Sequence, residues 1–518
     1  KEEVYAFCSS IVQSSGMGKS RLVAKMGEEH VVIPCCLRKA KTGYPPPDHQ
    51  ARDFLTKMTK KNDDYNLRVQ AFLMALFLNL HQILAAQYDA TSPGENAIAT
   101  FVCRLFEEGG SEMDHGDERK GFYEKVVNLA EDILEKGEEK HVEAQVRAAP
   151  NATSPKRITK TLPDTITIIQ DAQLLSAKDL PQITVNLLDY LSKLFGKQEK
   201  GPLLVLSWDE AHVLTRRRFG TRQQSSQWTY FNEFRRVLRD CDRSGRLFSL
   251  FLSTTGKIDQ FSPNSRDDPS ARIGERVLKV PYPFINLGFD QFARGQVQPN
   301  KGFKLSEAVK PEWIVKFGRP LWSTRYQYGN KRVRDCIFDF AMIKLLNTQH
   351  INKDFRPTRQ DILAIMGLRL GLKLDAQNRP DADVAKQLVE RHMRVVMQVT
   401  ADSNTIKTLA PSEPVLAEAS IRAMRVLGDK FRPAEALHQV LGDSLHAKGE
   451  RGEFIAALLL LLARDEVAKE TKSAKIRVTD FLVKLLGEGV LEFLPNASRN
   501  STNLKAAFKD AYVHFTHT

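Results

Sequence analysis

The chain has 518 residues, 42% of them hydrophobic and 27% charged. That is too long for one core, sets an expectation of about two to four domains, and excludes a disordered chain. Its 76 Lys and Arg against 63 Asp and Glu leave a net charge of +13, which favours acidic partners such as nucleic acid without requiring one.

The first element is the apolar run VYAFCSSIV, a strand, followed directly by QSSGMGKS at 13–20. This stretch fits the phosphate-loop pattern G-x-x-x-x-G-K-[ST] except that Gln13 stands at the opening glycine. Gly16 and Gly18 supply the flexible backbone where N–H groups must point into one concavity. Lys19 then reaches the β- and γ-phosphates, and Ser20 ligates Mg²⁺ at the start of a helix. Ser14, Ser15, Gly16, Met17, Gly18, Lys19, Ser20 and Arg21 are therefore the expected nucleotide-binding residues. The glutamine lies at the strand exit, where it costs backbone freedom more than phosphate contacts. RLVAKMGEE has the apolar spacing of a short helix and HVVIPCCL reads as a second buried strand.

A large insertion follows. The stretch 66–87 reads as a buried helix ended by TSPGE at 91–95. From about 106 to 160 the composition turns charged, which predicts a solvated helix flanked by flexible loops. His115 beside Asp114 and Asp117 belongs to this charge run and is not read as a metal cluster.

GPLLVLSWDEAHVL at 201–214 is a third strand, apolar enough to be buried on both faces and ending in two carboxylates. Asp209 is expected to hold Mg²⁺ through water and Glu210 to polarise the attacking water. The letters DEAH also suggest a helicase. The 190 residues between Lys19 and Asp209 (209 − 19), and the lack of a second motor signature, make that the weaker alternative. SQWTYFNEFRRVLRDCD predicts a helix, and RLFSLFLSTTGK a further strand ending in hydroxyls; this resembles the strand that carries the γ-phosphate sensor in AAA+ and STAND ATPases, which would make Thr254 and Thr255 sensor candidates, with plain strand-end caps as the alternative. The Gly-Arg-Pro turn of VKFGRPLWSTRY resembles the G-x-P turn that joins core to helical lid in STAND-type ATPases, which would make Arg319 a candidate phosphate sensor; Arg272 and Arg276 are candidates for a finger acting across a subunit interface.

From about 330 strand signals give way to helical ones, DADVAKQLVERHMRVVMQV among them, and PSEPVLAEASIRAMRVL opens a helix with Ser412 as N-cap and Pro414 in the first turn. The apolar run at 454–463 is too short to span a bilayer of about 30 Å. Six cysteines without a C-x-x-C pair read as buried free thiols in a reducing compartment, so the sequons at Asn151, Asn496 and Asn500 are read as coincidental. His514 and His517 lack a third ligand and read as an ordinary helix end.

Taken together, QSSGMGKSR, the TGYPPPD turn, LSWDEAHVL, FGRPLW and SEPVLAEA resemble the Crinkler-type ATPases of filamentous fungi and oomycetes, phosphate-loop enzymes of AAA+/STAND-like type. The resemblance spans nearly the whole chain and implies an α/β phosphate-loop NTPase core with a parallel sheet at 1–320, interrupted by the charged insertion at about 90–165. A helical lid at 321–428 and a mostly helical C-terminal region at 429–518 follow. ATP and Mg²⁺ are the implied cofactors. In that family a restriction-endonuclease-like domain often comes next; GERGEF offers Glu450 or Glu453 for its first helix, but no Asp…(Glu/Gln)-x-Lys strand pair follows, and a truncated nuclease domain without activity is expected. The expected function is an Mg²⁺-dependent triphosphatase acting as a conformational switch in an effector-like or conflict-related protein. The alternative is a non-hydrolysing, nucleotide-dependent module that binds nucleic acid or a protein. No membrane partner is expected, oligomerisation is open, and the location is intracellular, cytoplasmic or nuclear. The start at Lys1 leaves room for a missing N-terminal segment and secretion into a host.

Overall fold

The computed structural model describes residues 4–39, 43–57, 62–88, 92–111, 114–147, 179–196, 201–215, 229–254, 261, 278–279, 281–295, 304–351, 354–400, 405–442, 448–492 and 503–516. Its centre is a parallel sheet of β1 (Cys8–Val12), β2 (Val32–Cys36), β3 (Leu204–Asp209) and β4 (Leu247–Ser253), in the order β1-β4-β3-β2. These are the four runs read as strands, and all six residues of β3, the one expected to be buried on both faces, are buried. The register sets Val12 opposite Ser253 and Cys36 opposite Asp209, so the carboxyl ends align along one edge. Beyond β1 the chain around Lys279–Phe284 continues the sheet: Tyr5 N–H reaches Lys279 O at 2.8 Å and Phe284 N–H reaches Ser10 O at 2.7 Å. β1 thus has a neighbour on each side, contributed by later chain. In open α/β sheets the crevice outside the carboxyl ends, where strand order reverses, is the place for a ligand.

One face is covered by the helices Asn62–Gln87, Asp117–Arg147, Leu180–Phe195 and Tyr230–Cys241. The first is apolar and long enough to cross a membrane from Tyr65 to Gln87, but 67% of its most apolar 18-residue window is buried inside the protein. The charged helix differs from the solvated one expected: it buries Arg119, Phe122, Tyr123, Val126, Ala130 and Ile133 along one side. Charge dominates its composition, yet its apolar residues fall at three- and four-residue spacings and gather on one stripe. Arg119 locks it down, donating from Nε and Nη2 to the two carboxylate oxygens of Asp48, each at 2.8 Å, in the TGYPPPD turn. Asp48 also accepts from Cys36 N–H at 2.7 Å, which ties the turn to the end of β2. His115 is drawn to the same turn, its Nε2 lying 2.7 Å from the Pro46 carbonyl.

The second core is helical and gathers Trp322, Ile337, Ala341, Leu345, Ile365, Met366, Leu416 and Leu461. Two expectations for this half, and one for the cysteines of the whole chain, are corrected. The helix Arg379–Arg391 stops before RVVMQV, because Met393 takes a left-handed φ of 64° and the β-branched residues beyond it become β5 (Val395–Val399). β5 pairs antiparallel with β6 (Ile406–Leu409), and the hairpin packs back on the main sheet: Val396 and Ile406 cluster with Val12, Val395 with Ile11 and Met17. Ser412 does not cap the helix Pro414–Leu427; Glu413 occupies that position and turns its carboxylate elsewhere. The thiols are all free, but only four are buried, with Cys103 half-buried and Cys336 exposed.

Near the C-terminus, the helix Lys448–Thr471 buries Leu458 and Leu461 against the helical core and leaves Ile455, Leu459 and Leu460 exposed. Glu453 lies on its exposed side. Two short strands, β7 (Ile476–Arg477) and β8 (Tyr512–Val513), pair antiparallel around the helix Val478–Leu486.

Candidate functional site

The turn after β1 carries Gly16 at φ 79° and Gly18 at φ 90°, conformations that need glycine, and the helix Lys19–Met26 starts directly from Gly18. Lys19 is only 6% exposed and folds its ammonium back on the loop, donating to Gln13 O at 2.6 Å and Ser14 O at 3.2 Å. Burial pushes this ammonium down to about 8; Asp209 and Glu210 pull against that, and Arg319 and Arg38 add to it.

β3 delivers the carboxylates to the same edge. The Ser20 hydroxyl donates to Asp209 Oδ2 at 2.5 Å, and Asp209 Oδ1 accepts from Glu210 N–H at 2.7 Å. Glu210 itself has a φ of 54°, a left-handed conformation for a residue with a Cβ, of the kind stored at functional sites at roughly 1–3 kcal/mol. Burial and the charge of Glu210 push the Asp209 carboxyl up. Burial acts the same way on Glu210, but the close approach of His212 and the charges of Arg38, His212 and Lys19 outweigh it, and its carboxyl lies below the usual glutamate range. Arg38 Nη2 reaches Glu210 Oε1 at 2.5 Å, and His212 Nδ1 lies 3.0 Å from Oε2.

The hydroxyl and carboxylate of Ser20 and Asp209 are hard oxygen donors of the type that hold Mg²⁺ with water and phosphate completing the octahedron, so this pair fits the ion. A cavity of 110 Å³ bounded by Ser20, Asp209, Val23, Cys36, Cys103 and Phe106 adjoins them. It is smaller than the roughly 300–1,000 Å³ of small-molecule clefts. A nucleotide would instead lie across the partly exposed loop at Ser15, Gly16 and Gly18, with Met17 buried beneath and Arg21 exposed on the next turn.

Arg319, expected as a phosphate sensor, is 1% exposed, and its donors go to protein. Nε and Nη2 bond Glu413 at 2.7–3.0 Å, Nη1 bonds Ser14 Oγ at 3.1 Å and Ser15 O at 2.6 Å, and Nη2 bonds Met393 O at 2.6 Å. Trp322 Nε1 donates to the same Glu413 at 2.6 Å. Arg319 therefore ties the loop at Ser14 and Ser15 to the helical part. Thr254 stands just past the end of β4 and is half-buried, whereas Thr255, Arg272, Arg276, Glu450's side chain and His517 lie outside the described residues. His514 lies 2.9 Å from the Ala474 carbonyl and 3.3 Å from Arg464. Among the described residues no group of three or more His, Cys, Asp or Glu side chains is arranged to hold a metal.

Sequence reasoning missed Arg38, His212 and Glu413. Nothing in the spacing around Arg38 marks it, since its partner is 172 residues away; Glu413 sat inside the SEPVLAEA stretch without an assigned role.

Residues 1–143 match a family described as a domain of unknown function, DUF8735, and residues 353–518 match a second, DUF8736. No curated protein and no solved structure matches the chain. The two matched segments meet at the candidate site, where Gln13 and Ser14 of the first adjoin Val396 and, through Arg319, Glu413 of the second.

Proposed function

We propose that the chain is an Mg²⁺-dependent nucleoside triphosphatase of phosphate-loop type, with ATP as the preferred substrate on the strength of the Crinkler-type resemblance. The observation that carries this reading is the hydrogen bond from Ser20 to Asp209: two residues 189 positions apart, each independently read as an Mg²⁺ ligand, come together beside Lys19. Ser20 and Asp209 would hold Mg²⁺, which would supply positive charge to offset charge developing on the phosphate. The N–H groups around Gly16 and Gly18 would cradle the phosphates, and Lys19 would exchange its two loop carbonyls for phosphate oxygens. Glu210 would orient the attacking water and accept its proton. Because Gln13, Ser14 and Ser15 are bonded to the helical part, a change in the loop on hydrolysis would be transmitted there, which supports a switch.

A second reading, a nucleotide-dependent binding module that does not turn over, is favoured by one observation: Glu210 is engaged by Arg38 and His212 and would have to leave them to activate water. Measured phosphate release from the intact chain separates the two. The enzyme reading expects Lys19→Ala to lose nucleotide binding, and Glu210→Gln to keep binding while release falls by at least a hundredfold. Unchanged release in Glu210→Gln favours the binding module, and nucleotide binding that survives Lys19→Ala removes the phosphate-loop reading altogether.

A further inference from the structure

Three cations converge where the helical part meets the catalytic edge. Arg325 sits one turn after Leu321 on the helix Pro320–Tyr328, so the two share a face. That face meets the phosphate loop: Leu321 N–H reaches Gly16 O at 3.3 Å, and a Cβ at Gly16 would stand 2.7 Å from Leu321 Cδ2. The Arg325 guanidinium lies 3.8 Å over the Phe340 ring, and the Lys344 ammonium, from the helix Ile337–Leu345, lies 5.7 Å from the same ring. Among the described residues neither side chain has an ion pair, and Arg325 Nε is buried without a hydrogen-bond acceptor. Burial pushes Lys344 down, and the charges of Arg38 and Arg325 push it further. Arg38 bonds Glu210, and its charge acts on Lys19 in the same sense as on Lys344.

Half-buried like charges repel strongly, and a bound anion would reverse the balance. We propose that Lys344, Arg325 and Arg38 form a binding site for a phosphoryl group beside Glu210. Guanidinium forks and a lysine point charge match tetrahedral phosphate oxygens, and none of the three can serve as an acceptor for a cationic ligand. The source of the phosphoryl group rests on the triphosphatase reading: it is the terminal phosphate of the bound nucleotide or the inorganic phosphate released from it.

The test compares the whole chain with Lys344→Met and Arg325→Gln for binding of ADP, a non-hydrolysable triphosphate analogue, and inorganic phosphate in the presence of ADP. Triphosphate affinity at least tenfold weaker in both variants, with ADP affinity within twofold, supports the site and assigns the terminal phosphate. Triphosphate affinity unchanged but phosphate affinity lost supports it with released phosphate as occupant. Affinities for both within twofold of the parent overturn it, as does an equal loss for ADP and triphosphate. Thermal melts guard against misfolding. At matched ionic strength, inorganic phosphate in place of chloride should raise the parent's melting temperature and not that of Lys344→Met; equal shifts in the two overturn the site. Lys19→Ala is run in parallel, so that failure of the phosphate-loop reading, seen as retained ADP binding there, is separable from failure of this site.

Discussion

The side-chain amide of Gln13 pairs with the backbone of Val396 in both directions, donating to its carbonyl at 2.9 Å and accepting its N–H at 2.9 Å. The same side chain accepts from Ser14 N–H at 3.0 Å and donates to Ile285 O at 3.2 Å. A glutamine at the glycine position of the phosphate-loop pattern thus extends the β5–β6 hairpin by one rung and joins it to the loop. Gln13→Gly, which restores the usual pattern, should leave the Val396 N–H and C=O buried without partners and cost about 1–3 kcal/mol in denaturant unfolding. A loss below about 0.5 kcal/mol would mean that water or rearrangement replaces the glutamine without penalty.

Arg319 and Glu413 have side chains that are fully buried against each other. Removing one charge strands the other, and breaking a buried pair in this way typically costs about 3–5 kcal/mol. Glu413→Ala should fall in that range, and the double change Arg319→Met with Glu413→Leu should recover part of it. Simple additivity of the two single changes would show that the ion pair is not what joins the loop to the helical part.

Asp209→Asn keeps an acceptor for the Ser20 hydroxyl but removes the charge that would hold Mg²⁺. The fold should persist, while the extra thermal stabilisation that Mg²⁺ adds to bound nucleotide disappears. Equal Mg²⁺ shifts in parent and variant would place the metal elsewhere.

Stability should fall on acidification below neutrality. Burial holds His115 and His392 below the ordinary histidine value of 6.5, with Arg119 adding to the effect at His115. As pH falls through 6.5 the unfolded chain takes up protons that the folded chain refuses, so unfolding becomes more favourable until the lowered folded values are passed. Urea unfolding at pH 7.5 and 5.5 should show the drop. His392→Gln, which can still donate to Leu345 O, should make it smaller. A profile unchanged in that variant removes His392 from the account.

The helix Lys448–Thr471 should produce no Mg²⁺-dependent DNA cleavage, since Glu453 lies on its exposed side and no group of three ligating side chains accompanies it among the described residues. Nicking by the purified chain that Glu453→Ala abolishes would place a nuclease site there after all.

What the amino-acid sequence determined by itself is local. Gly16 and Gly18 dictate the left-handed turn because a Cβ disfavours those dihedrals, the apolar runs dictate β1 to β4 because a buried strand needs no polar alternation, and the buried helix read at 66–87 follows from its apolar length. Even the paired carboxylates Asp209 and Glu210 were legible, since they end such a run. Tertiary structure decided the partners. Ser20 with Asp209, Arg38 with Glu210, Arg319 with Ser14 and Gln13 with Val396 are 189, 172, 305 and 383 residues apart. No periodicity links such positions, because each pairing depends on how the strands order in the sheet and how the helical half closes on it. VVMQV shows the same division: its sequence extends a helical pattern, but Met393 breaks the helix and the edge of the main sheet offers Val395 and Val396 an apolar surface that only an extended chain can meet.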